Sequence, residues 1–203
     1  MGLHESLGRH ALLILLLLNG GMFVVELVAG WQAESMGLVA DGFDMGADAA
    51  VYLLALLAIG ASDVRKLRAA RFAGRVQLLL ALVAIFELGR RALQGSAPEA
   101  PVMMGVSLVA LAVNIICLAL LRRHRDGDVH LQAAWIFSAT DVQANLGVLA
   151  AGALVAAFGS AIPDLLIGMV VCWLVLRGAL RINRRVRAAE DAARQGVFTA
   201  EAT

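Results

Sequence analysis

Asp41, Asp44 and Asp48 lie in a stretch that otherwise reads as a membrane helix, Gly37 to Leu57, GLVADGFDMGADAAVYLLALL. At about 100° per residue, Asp44 and Asp48 fall about 40° apart and Asp41 about 20° from Asp48, so one narrow face carries all the carboxylates. Against lipid, each acid at the centre of a membrane helix costs about 2.5–3.5 kcal/mol. That face must therefore look into the protein or into a water-filled path. A second apolar stretch, LQAAWIFSATDVQANLGVLAAGALVAAF, places Asp141 mid-span and Asn145 one turn later, about 40° away. Near the start of the chain Asn19 and Glu26, seven residues apart, also face one way.

Asp44 and Asp48 from one helix and Asp141 from another could offer three hard oxygen ligands to a divalent cation, which would offset the cost of burying them as anions. Clustered carboxylates titrate as a coupled set, so an arriving metal would expel protons. Metal–proton exchange in one pocket follows from that chemistry. The competing reading is that the aspartates bond to backbone or hydroxyl groups and hold helices together. Asp41, Asn145, Asn19 and Glu26 are additional polar groups that could line the same path. Glu26 reads either as an interhelical hydrogen-bonding partner or as part of that path.

The elements that must position these groups are membrane spans. Of the 203 residues, 61% are hydrophobic, and the mean hydropathy is +0.81. This is the composition of an all-α membrane protein rather than a soluble domain. Six candidate spans cover about 11–30, 36–60, 72–93, 102–121, 131–158 and 162–180. Short connections imply one six-helix bundle over 1–180, followed by a short basic tail over 181–203. The first apolar run lacks a signal-peptidase exit and reads as a retained span. Arg65, Lys66, Arg68, Arg71 and Arg75 follow span two, Arg122, Arg123 and Arg125 follow span four, and Arg177, Arg181, Arg184, Arg185, Arg187 and Arg194 close the chain. On the opposite side only Arg90 and Arg91 occur. The positive-inside rule then expects both termini of this multi-pass protein in the cytoplasm. The tail arginines would meet lipid phosphates or fix topology. No basic, aromatic-rich surface points to nucleic acid.

Other polar groups read more simply. Glu87 and Arg90 are spaced for a local ion pair. Asn114 reads as an interhelical hydrogen bond, and the pair Gly20–Gly21 as a place of close helix approach. His124, Asp126, Asp128 and His130 lie in a loop whose spacing matches no defined metal site. Cys117 and Cys172 sit in apolar runs and read as packing residues. The second span of each group of three carries buried aspartate, as in transporters built from inverted halves with a midplane site.

Asn19-x6-Glu26-x3-Gly30, then SMGLVADGFDMGAD, then TDVQANLGVLAAG together resemble the cation diffusion facilitator family of divalent-metal/proton antiporters. The resemblance covers all six spans. It implies that Asp44 and Asp48 are metal ligands, and that Asp141 matches the Asp of the family's span-five pair, whose first position is Phe137 here. Phenylalanine cannot ligate a metal. Asn145, Asn19, Asp41 or water would fill that position. An all-oxygen set would shift preference toward manganese, iron(II) or cobalt, with zinc and cadmium retained as family substrates. The resemblance is to the short bacterial branch without the C-terminal cytoplasmic domain, so a homodimer would rest on the membrane helices. The implied function is efflux of a divalent metal against protons, with no permanently bound cofactor and no enzymatic activity. The alternative is a non-transporting subunit or regulator of a metal-resistance system with a degenerate site. An intramembrane aspartyl protease is disfavoured, because neither aspartate span contains Gly-x-Gly-Asp.

Overall fold

The structure, a computed structural model, describes the backbone of residues 2–122 and 129–201. Side chains are described over 9–121 and 139–191, except at 58, 63, 64, 66 and 185. The described chain is helical: α1 (Gly2–Gln32), α2 (Met36–Ala58), α3 (Asp63–Gln94), α4 (Ala100–Arg122), α5 (Val129–Phe158) and α6 (Ile162–Glu201). Each expected span corresponds to one helix. α1, α3 and α6 extend beyond their apolar runs, and residue 180 lies inside α6.

Within the described residues five segments are long and apolar enough to cross a membrane: Arg9–Gln32, Leu67–Gln94, Ala100–Leu121, Ala139–Phe158 and Ile162–Asp191. α2 has 23 residues, about 35 Å at 1.5 Å per residue. It is long enough to cross, but its aspartates spoil the apolar pattern. α2 compensates by position, since it borders all five other helices. Large apolar side chains such as Leu17, Phe86, Phe158 and Leu166 point outward, while Asn19, Glu26, Asp41, Asp48, Asn114 and Asp141 are buried. That is the arrangement of a bundle solvated by lipid.

α1 lies along α2, α4 along α5, and α3 along α6. The first two pairs occupy equivalent places in the two halves of the chain. The main core joins Met36, Val39 and Phe43 of α2 to Ala81 and Ala84 of α3 and to Val171 and Val175 of α6. The connections at 33–35, 95–99 and 159–161 share one face: Glu99 N donates to Ala33 O at 2.9 Å, and Ser35 Oγ donates to Asp164 Oδ1 at 2.8 Å. We call this the short-loop face.

The α1–α2 approach does not use Gly20 and Gly21 as expected. A Cβ at Gly20 would make only ordinary contact with Ala49, and one at Gly21 would meet nothing within 4 Å. The tight crossing lies at Gly30, Gly42 and Gly46. There a Cβ would come to 2.8 Å of Val39 N, 3.1 Å of Leu27 N and 2.7 Å of the Phe23 ring respectively. Cys117 and Cys172 are buried, unpaired and packed in different clusters, as packing residues would be.

Candidate functional site

Helical spacing places Asp41, Asp44 and Asp48 on one side of α2, and the neighbours of α2 decide what that side meets. Asp41 and Asp48 are buried and Asp44 is half-buried. α5 borders α2 and contributes buried Asp141. Ala144, three residues beyond Asp141 on α5, packs in one core cluster with Val39, Ala40 and Phe43 of α2. The acids singled out in the two stretches are therefore brought to one region between α2 and α5. Tyr52 OH reaches Asp48 Oδ2 at 3.5 Å, a long contact. Both oxygens of Asp41 and Oδ2 of Asp141 are buried without a hydrogen-bond partner.

α1 adds Glu26, which is 0% exposed with both oxygens unpartnered. It meets α2 where there is no side chain: a Cβ at Gly42 would be 3.2 Å from Glu26 Cβ. Glu26 lies beside Asp41, within reach of its carboxyl. Two carboxylates are both acceptors, so that contact can close as a hydrogen bond only when one of them carries a proton. Asn19 Nδ2 donates to Leu15 O at 2.9 Å and touches Cys117 Sγ at 3.9 Å, while its Oδ1 has no partner. Asn145 Nδ2 donates to Asp141 O at 2.9 Å and leaves its Oδ1 equally bare. On α4, Asn114 makes no interhelical bond: both amide atoms are buried and unpartnered. Helices α1, α2, α4 and α5 thus all turn unpartnered acceptors inward. An unmet buried polar group costs about 1–3 kcal/mol, so these bare acceptors call for a proton, a cation or a donor. The region is also not a closed cage. Among the described residues no three His, Cys, Asp or Glu side chains gather closely enough to hold a metal ion.

Glu87 behaves differently. It accepts from Arg90 at 2.6 and 2.8 Å, as the spacing predicts, and also from buried Arg91 Nε at 2.7 Å. Arg91 Nη2 reaches Gly30 O at 3.4 Å, so the cluster ties α3 to α1. The side chains of Phe137, Ser138 and His130, and all of 123–128 with His124, Asp126 and Asp128, lie outside the described residues. Sequence reasoning passed over Ser35 and Asp164. Ser35 caps α2, its Oγ accepting from Leu38 N at 3.2 Å. Asp164, in the first turn of α6, is 0% exposed and caps α2 rather than its own helix. Its place just after Pro163 marks a helix start, but nothing in sequence names the helix it serves.

The Cation efflux transmembrane domain profile matches residues 12–187. The chain belongs to the cation efflux (cation diffusion facilitator) family. Curated relatives include a "Cadmium, cobalt and zinc/H(+)-K(+) antiporter" of Bacillus subtilis, 22% identical over 89% of this chain and 63% of that protein. They include the metal cation efflux system protein CzcD of Cupriavidus metallidurans, 27% identical over 88% of this chain and 63% of the relative. The zinc transporter ZitB of Yersinia pestis is 25% identical over 84% and 59%. The chain spans about three-fifths of the length of these relatives. As a cation efflux protein with this bundle, it is a multi-pass inner-membrane protein.

Proposed function

We propose that this cation efflux protein exports a divalent transition-metal ion across the inner membrane in exchange for protons. Asp44, Asp48 and Asp141 take up the ion between α2 and α5 near the middle of the bundle. The buried, unpartnered Oδ2 of Asp141 on α5, with Asp48 of α2 buried beside a long contact from Tyr52 and both oxygens of neighbouring Asp41 unpartnered, supports this most directly. Such oxygens need a cation or a proton, and exchanging one for the other is what an antiporter does. Because no close three-ligand group forms among the described residues, α2 and α5 must close on the ion, with water or Asn145 completing its shell. Asp41, Glu26 and Asn19 line the approach. Rocking of helix groups then alternates exposure. Zinc, cadmium and cobalt come first, being named for the relatives; manganese and iron(II) follow from the all-oxygen donor set.

The test is metal-driven proton movement in proteoliposomes with a pH-sensitive dye inside and zinc, cadmium, cobalt, nickel, manganese or iron(II) outside. The expected result is a signal for one or more metals that disappears in Asp48→Ala and Asp141→Ala. Full exchange in both variants would overturn the assignment of the site. The loose spacing of the acids, with Phe137 at a family ligand position, favours one other reading: a non-transporting subunit of a metal-resistance system. Folded protein that is silent with every metal and binds none at micromolar concentration would establish that reading instead.

A further inference from the structure

The first N–H groups of a helix have no partner within it. At the start of α2 a residue from the other half of the chain supplies partners. Asp164 Oδ2 accepts from Met36 N at 2.6 Å, and its Oδ1 accepts from Gly37 N at 2.8 Å and from Ser35 Oγ at 2.8 Å. Ser35 Oγ in turn accepts from Leu38 N at 3.2 Å. Ser35 and Asp164 are both fully buried. The negative side chain also sits at the positive end of the α2 dipole. Missing side chains let the helix ends meet: a Cβ at Gly37 would lie 3.1 Å from Asp164 Oδ1, and one at Gly168 would lie 2.6 Å from Met36 Cγ.

The two ends of α2 are held unequally. Every residue from Met36 to Phe43 is buried, whereas Leu53, Leu57 and Ile59 at the other end are exposed. α2 then stops at Ile59, and Gly60 turns the chain with φ 71°. Opening the Asp164 contact would strip a buried carboxylate of all its donors and leave the first N–H groups of α2 bare. Moving the far end of α2 carries no such penalty.

We infer that Asp164 is a positioning residue whose clasp on Ser35, Met36 and Gly37 stays closed through the transport cycle and serves as the pivot of α2 against α6. This rests on the reading that α2 carries the transport aspartates. Asp48 lies further from the clasp than Asp44, so it swings further relative to α6. On the short-loop face, access to the site opens by movement of α5 away from α2, not of α6.

Two measurements in proteoliposomes test this, wild type first. In Asp164→Ala, turnover should fall at least tenfold while KM and the metal dissociation constant in detergent stay within threefold; Asp164→Asn, which still accepts hydrogen bonds, should recover part of the turnover. Unchanged turnover in Asp164→Ala overturns the clasp, as does loss of metal binding in step with turnover. The second variant leaves Asp164 in place. Met36→Cys with Gly168→Cys, in a background without Cys117 and Cys172, puts two Cβ atoms about 3.1 Å apart, close to disulfide reach. The oxidised protein should transport within threefold of its own reduced form. Transport that oxidation abolishes and a reductant restores shows that the contact must open, and overturns the pivot. A wild type that binds metal but exchanges nothing removes the transport reading and this proposal with it. Exchange in wild type that persists in Asp164→Ala removes the clasp alone.

Discussion

Glu87 and Asp164 show how this bundle treats an acid that is structural. Glu87 is met by Arg90 and Arg91, and Asp164 by two backbone N–H groups and a hydroxyl. Glu26, Asp41 and Asp141 lie at similar depth and keep unpartnered oxygens. The two sets should respond oppositely to neutralisation. Glu87→Gln strands buried Arg91 and should cost about 3–5 kcal/mol, the range for breaking a buried ion pair from one side. Reversible unfolding in mixed detergent would measure it. Both oxygens of Glu26 and Oδ2 of Asp141 are unpartnered, so Glu26→Gln and Asp141→Asn remove a buried charge, and stability should stay within about 1 kcal/mol of wild type or rise. Metal-driven proton movement should nevertheless be lost in Asp141→Asn. An equal loss of stability in both sets would make the inner acids structural after all.

The α1–α2 pair is held by small residues that bring backbones together, and its tight points predict which substitutions it tolerates. A Cβ at Gly30 would lie 2.8 Å from Val39 N, a backbone atom that can yield only if the helix moves. Gly30→Ala should therefore cost about 1–3 kcal/mol. Gly21→Ala meets open space and should gain up to about 1 kcal/mol from helix propensity. Thermal melts in detergent compare the two, and equal effects would contradict the crossing described. The sequence signals the existence of α1 and α2 clearly, through long apolar runs and acids that repeat on one face. It does not signal which glycines meet, because that depends on the crossing geometry of two helices. Gly20–Gly21 is the more conspicuous pair, yet the crossing passes through Gly30, Gly42 and Gly46. Asp41, Asp44, Asp48 and Asp141 were legible because burying charge in a membrane is costly enough to demand a reason. Asp164 was not, because an acid after Pro163 already has an ordinary reason to begin a helix, and its true partner lies 127–129 residues earlier.

Across the whole molecule, charge asymmetry bears on orientation, and Arg90 and Arg91 are the two arginines that run against it. Arg90 and Arg91 lie near the short-loop face, but both are ion-paired to Glu87, and Arg90 also rests over the Trp31 ring at 5.9 Å. One carboxylate between two guanidinium groups leaves the cluster a net charge of +1. On the other face, α3 and α6 run on side by side. Arg71 pairs with Glu190, and Asn183 Nδ2 donates to Gly74 O at 2.9 Å. Arg68, Arg181 and Arg184 on these segments are exposed, with no ion pair among the described residues. Free positive charge is thus concentrated on the face opposite the short loops, the side that the positive-inside rule places in the cytoplasm. Ala97 in the α3–α4 connection and Ser62 at the start of α3 are both exposed and lie on opposite faces. In a background without Cys117 and Cys172, Ala97→Cys should react with a membrane-impermeant thiol reagent added to spheroplasts, and Ser62→Cys only after the membrane is opened. The reverse pattern would invert the bundle and place both termini outside the cytoplasm, against the arginine asymmetry, while the proton gradient would still drive the metal outward. Labelling at both positions in closed spheroplasts would show that the bundle has no fixed orientation, and the arginine asymmetry would then have to be explained by lipid contact alone.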